Sequence, residues 1–61
     1  MKTQLTTMNV NIGIKIQEKN NPGWGTFIVK SVYDNGLYII RGVSGERLLA
    51  DSEFKFWNII T

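Results

Sequence analysis

The stretch Gly25-Thr-Phe-Ile-Val-Lys-Ser-Val-Tyr-Asp-Asn-Gly-Leu-Tyr-Ile-Ile-Arg-Gly42 decides the fold class. Two runs of β-branched and aromatic residues, 26–33 and 37–43, flank Asp34-Asn35-Gly36. Asn-Gly between apolar runs is a strong hairpin signal, because both residues tolerate the positive φ of a type I′ turn. A two-residue turn at Asn35-Gly36 sets Tyr33 opposite Tyr38, Val32 opposite Ile39 and Lys30 opposite Arg41. A three-residue turn with a bulge at Gly36 shifts every pairing by one.

Upstream of the hairpin, Met8, Val10, Ile12, Ile14 and Ile16 alternate with Asn9, Asn11, Gly13, Lys15 and Gln17. Period-2 patterning with β-branched residues predicts a half-buried strand. Residues 18–24 then form a long loop in which Pro22-Gly23 suits the centre of a type II turn and Trp24 stands between two glycines. The polar, threonine-rich start of the chain reads as a flexible N-terminal arm over residues 1–8 that pairs late, if at all, onto a sheet edge. It has no apolar h-region of a signal peptide.

Downstream, Ser44-Gly45 marks a second tight turn and 46–50 a short strand. Asp51-Ser52-Glu53-Phe54 has the caps and early acids of a single 3₁₀ turn. A last strand covers about 55–60, with Phe56, Asn58 and Ile60 on one face. The alternation gives an expected core of Val10, Ile12, Ile14, Ile16, Phe27, Val29, Ile40, Leu48 and Phe56, with Val32 and Ile39 behind them.

Bulk properties narrow the classes. Sixty-one residues make one small domain, over 9–61. With no cysteine and no histidine, disulfides, thiol catalysis and the usual zinc ligands are excluded. Asp51 and Glu53 have the plainer meaning of an acidic capping turn, and Gly23 and Gly25 flank a tryptophan with no following helix to make a phosphate loop. The expectation is therefore no enzyme, no metal and no cofactor. No apolar run is long enough to cross a membrane, which points to a soluble cytoplasmic protein. A chain of this size starting at methionine is also typical of phage and mobile-element accessory proteins.

The order strand, long loop, strand, tight turn, strand, tight turn, strand, 3₁₀ turn, strand over residues 9–60 resembles the SH3-like small barrel of SH3, Tudor and KOW-type domains. Gly25 and the run Tyr33-Asp-Asn-Gly-Leu-Tyr38 look like Tudor- and KOW-type hairpins. The resemblance implies an all-β, five-stranded small barrel with a 3₁₀ turn before its last strand. Residues 18–24 carry one acid and one base, unlike the acidic loop of peptide-binding SH3 domains.

Two functions fit such a module. Trp24, Tyr33 and Tyr38, with Lys19, Lys30, Arg41 and Arg47, form an aromatic and basic set of the kind that stacks bases and neutralises phosphates. On this reading the partner is nucleic acid. The alternative is a protein partner or a second copy, docked on an exposed strand edge or an apolar patch around Trp24. The plainer assignment of the same residues makes Trp24 and Trp57 lids of a small core and the cations a solvated face. A net charge of +2, from seven basic and five acidic residues, is only a mild bias towards an anionic partner.

Overall fold

The computed structural model describes residues 2–60. Six strands, β1 (Lys2–Gln4), β2 (Lys15–Glu18), β3 (Phe27–Asp34), β4 (Leu37–Gly42), β5 (Gly45–Ala50) and β6 (Trp57–Ile60), are joined by 3₁₀ helices at Pro22–Trp24 and Asp51–Phe56. They form one antiparallel sheet in the order β1-β6-β2-β3-β4-β5. The all-β class is as expected, and so is a 3₁₀ element before the last strand. The closed five-stranded barrel is not. The sheet is open, with β1 and β5 as its edges.

The first departure is the N-terminal segment. Read as a flexible arm that pairs late, if at all, onto a sheet edge, it sets Lys2–Gln4 along β6 at that edge; what departs from the reading is Leu5, fully buried with its N–H donated to the Trp57 carbonyl at 2.9 Å. The second is the alternating stretch that follows. Only Lys15–Glu18 is strand, because asparagine side chains turn the preceding backbone on itself. The Asn9 carboxamide accepts from the Thr6 N–H at 2.8 Å and donates to the Gln4 carbonyl at 3.1 Å, while the Val10 N–H reaches the Thr6 carbonyl at 3.0 Å. Gly13 then takes φ +92°, donating to the Val29 carbonyl while the Val29 N–H goes back to Ile14. That is a glycine bulge, which breaks the period-2 face. Ile12 therefore points to solvent, and Val10 and Ile14 flank the core only partly covered.

Bulges also reset the central hairpin. Asp34 opposes Leu37 as the two-residue turn demands, but Val32 opposes Tyr38, Ser31 opposes Ile39 and Val29 opposes Ile40. Tyr33 and Lys30 are the extra residues, so neither the Tyr33–Tyr38 nor the Lys30–Arg41 pairing forms. The turn itself is not type I′, since Gly36 has φ +75° but Asn35 does not have positive φ. At the earlier loop, Pro22–Trp24 is a 3₁₀ turn in place of the expected type II turn, and the positive φ falls on Gly25.

The core is Leu5, Ile16, Phe27, Val29, Ile40, Leu49, Phe54, Trp57 and Ile59. Ile16, Phe27, Val29 and Ile40 were legible from the alternation. Leu48 and Phe56 were not placed correctly, because each belongs to a neighbouring phase. The 3₁₀ helix runs to Phe56 and not Phe54, so β6 starts at Trp57 and turns Trp57 and Ile59 inward. Phe27 meets Trp57 edge-to-face at 5.2 Å, tying β3 to β6. A Cβ at Gly42 would lie 2.5 Å from the Phe27 ring, so β4 passes too close for any side chain there.

Two stability outcomes follow. Leu5→Ala removes a fully buried side chain, at a cost of about 2–5 kcal/mol. A chain this small has a margin of about 3–5 kcal/mol, so urea denaturation should show Leu5→Ala largely unfolded while Ile12→Ala stays near wild type. Gly42→Ala should lose about 1–3 kcal/mol by forcing the Phe27 ring off Trp57, with the Trp57 environment reporting the shift in near-ultraviolet circular dichroism.

Candidate binding site

Trp24 ends the Pro22–Trp24 turn, 44% exposed, and does not serve as a buried lid. Proline at the first position presets the 3₁₀ geometry, and Gly25 at φ +85° returns the chain into β3. Across a groove stands the β4–β5 turn at Val43-Ser44, with the start of β5. Arg47 reaches over from β5, its guanidinium carbon 5.4 Å from the centre of the Trp24 ring. Phe27 forms the floor, and the groove encloses about 290 Å³ between Gly23, Trp24, Phe27, Ser44, Glu46 and Arg47. A guanidinium over an indole is held by the ring quadrupole, so Arg47 stands at the rim in a restricted orientation.

The opposite face of the same strands carries Lys15, Lys30 and Arg41. Cross-strand partners share a face, so Lys15, Ile28, Arg41 and Glu46 make a row across β2 to β5. Lys30 spans β4 to reach Glu46 at 2.9 Å. This is the one ion pair among the described residues. The Lys30 hydrogen bond and charge, with Arg41 opposite, hold the Glu46 carboxyl below its ordinary value. Ile28 and Leu48 are exposed among these charges, and a smaller hollow of about 180 Å³ lies between Ile39, Glu46, Arg47 and Leu48.

Of the seven residues singled out in the sequence, the structure brings together two pairs. Trp24 and Arg47 share the groove, and Lys30 and Arg41 both flank Glu46. The remaining three are elsewhere. Tyr38 is half-buried, its ring 5.4 Å from Phe54. Tyr33 stands exposed at the hairpin bulge. Lys19 lies beyond β2, its ammonium on the Gln4 side-chain oxygen at 3.0 Å. Lys30 and Arg41 do not face each other across β3 and β4, and Lys30 is paired with Glu46 instead. Sequence reasoning missed Glu46 and Phe27 as site residues, and no local pattern marks either.

The second feature of the site is the edge of β5. Gly42 and Gly45 bracket a two-residue loop and form a hydrogen-bonded pair, so Ile40–Arg47 and Tyr38–Leu49 do too. The N–H and C=O groups of Glu46 and Leu48 therefore project outward from the sheet. At its far end the strand is closed by the Asp51–Phe56 helix, where the Glu53 carboxylate accepts from the Ala50 N–H at 3.4 Å.

No protein family, curated protein or solved structure matches the chain. Among the described residues no cluster of acidic, histidine or cysteine side chains is arranged to hold a metal ion, and no helix is long and apolar enough to cross a membrane.

The Glu46 titration is directly measurable. Its lowered folded-state value means the Lys30–Glu46 contact contributes stability above the unfolded carboxyl's pKa and loses it as pH falls through the folded one. Carbon-detected NMR of the Glu46 carboxyl should show a midpoint below that of a glutamate in an unstructured peptide, and Lys30→Met should move it up.

Proposed function

We propose that this protein is a small non-catalytic module that binds polypeptide, taking an extended segment as an added strand along β5 beside the Trp24–Arg47 groove. One observation carries the reading: an open strand edge and an aromatic groove adjoin on the same residues, 45–47. In strand addition the main chain supplies affinity, and pockets on alternate sides supply selection. Here the groove lies on the core side of β5 and the Leu48 hollow on the other.

The nucleic-acid reading has less support. Its cations are spread over two faces, Lys30 is paired with Glu46, and among the described residues Arg47 is the one cation lining the groove. Few phosphates would be neutralised, so counterion release would contribute little. The resemblance to SH3-like barrels stays as a proposal resting on element order alone: the succession of β2 to β6 is the one read from the sequence, on an open sheet extended by β1.

Titration of the ¹⁵N-labelled protein separates these readings. With a library of nine-residue peptides of high β propensity, the Glu46 and Leu48 amides and the Trp24 indole should shift together, and Trp24→Ala should weaken binding. If only single-stranded oligonucleotides move Trp24 and Arg47, with an effect lost as salt rises, the polypeptide assignment is wrong.

A further inference from the structure

The edge of β5 presents alternating chemistry, and that alternation specifies what an added strand must carry. We infer that the preferred ligand is a peptide strand reading apolar–acidic–basic from its N- to its C-terminus, with its acid on Arg47. This inference rests on the strand-addition reading above and names the class of ligand.

Every pair in this sheet is antiparallel, and antiparallel addition is the more stable choice for an isolated edge. The incoming chain then runs against β5 and meets Leu48 first, Arg47 second and Glu46 third. Side chains opposite one another in adjacent strands share a face. The first ligand residue accordingly lies on the outer face beside Leu48, which is 49% exposed over the hollow it shares with Ile39. An aliphatic side chain there removes apolar surface from water on both partners.

The second ligand residue points to the groove and faces Arg47. The guanidinium is stacked on Trp24 and has no carboxylate within 4 Å among the described residues. A ligand Glu or Asp completes a charge-assisted contact with a group already restricted by the indole, which lowers the ordering cost of binding. The third residue returns to the outer face and faces Glu46. Glu46 is held there by Lys30, and a pair between exposed groups is weak enough to be shared with a ligand lysine. The four backbone groups of Glu46 and Leu48 bind the ligand's main chain, and the three side chains fix its register.

The test uses two nine-residue peptides, identical except that the centre is Ile-Glu-Lys in one and Ile-Lys-Lys in the other, followed by fluorescence anisotropy and ¹⁵N shifts. The wild-type protein should bind the Glu peptide about tenfold more tightly, the size expected when a favourable cross-strand charge pair becomes a repulsive one. Arg47→Glu, at an exposed position, should invert the preference, and Arg47→Lys should keep its sign. Equal binding of both peptides, unaffected by Arg47→Glu, overturns the acid–Arg47 assignment and leaves strand addition standing. Absence of binding by either peptide, with the protein folded, overturns strand addition and this inference with it.

Discussion

The Phe27 ring is the contact on which the rest depends. It is wedged between Trp57, which it meets edge-on, and the bare backbone of Gly42, while its outer edge floors the groove under Trp24. An open sheet has no second layer of its own. It becomes a folded domain only if it curls enough to bury one face on itself, and Phe27 fills the inside of that curl. A glycine on β4 lets the backbone approach the ring without a side chain between them. The same wedge that holds β3 against β6 sets the depth of the candidate site.

The parts of the fold that were legible in the sequence are those governed by local chemistry. Asn35-Gly36 marked the turn, and Ile16, Phe27, Val29 and Ile40 announced an inner face by their phase. What escaped is set by phase shifts that no single residue announces. The bulges at Lys30 and Tyr33 depend on how both hairpin strands satisfy their neighbours, and they separate side chains that a regular ladder would have paired. Phe54 and Phe56 are equally apolar, and only the length of the 3₁₀ helix decides which of them is covered. Met8 to Ile14 alternate as a strand would, yet asparagines at 9 and 11 offer the backbone closer partners than a neighbouring strand does.

The candidate site was half legible for a related reason. Trp24 between glycines left two readings open, an exposed aromatic and a core lid, and Arg47 was a basic residue in a plausible strand. Their meeting is a tertiary event, as are the screening of Lys30 by Glu46 and the retreat of Tyr38 against Phe54. Counting cations and aromatics along the chain overstated a dispersed set. The sheet sorts them onto two faces and leaves one stacked pair, Trp24 and Arg47, beside the open edge.

The pairing of β1 with β6 has a consequence for how the molecule comes to exist. Lys2 lies opposite Ile60, and the amide of Leu5 is bonded to Trp57, so the first and last strands are lateral neighbours. Contacts between residues so distant along the chain are formed only after a large loss of loop entropy. The central hairpin is local enough to form early and cheaply. The burial of Leu5 against the inner face of β6 depends on the long-range pairing instead. Among the strand pairings of this sheet, β1 on β6 thus closes the longest loop, and that closure carries the greatest entropic cost.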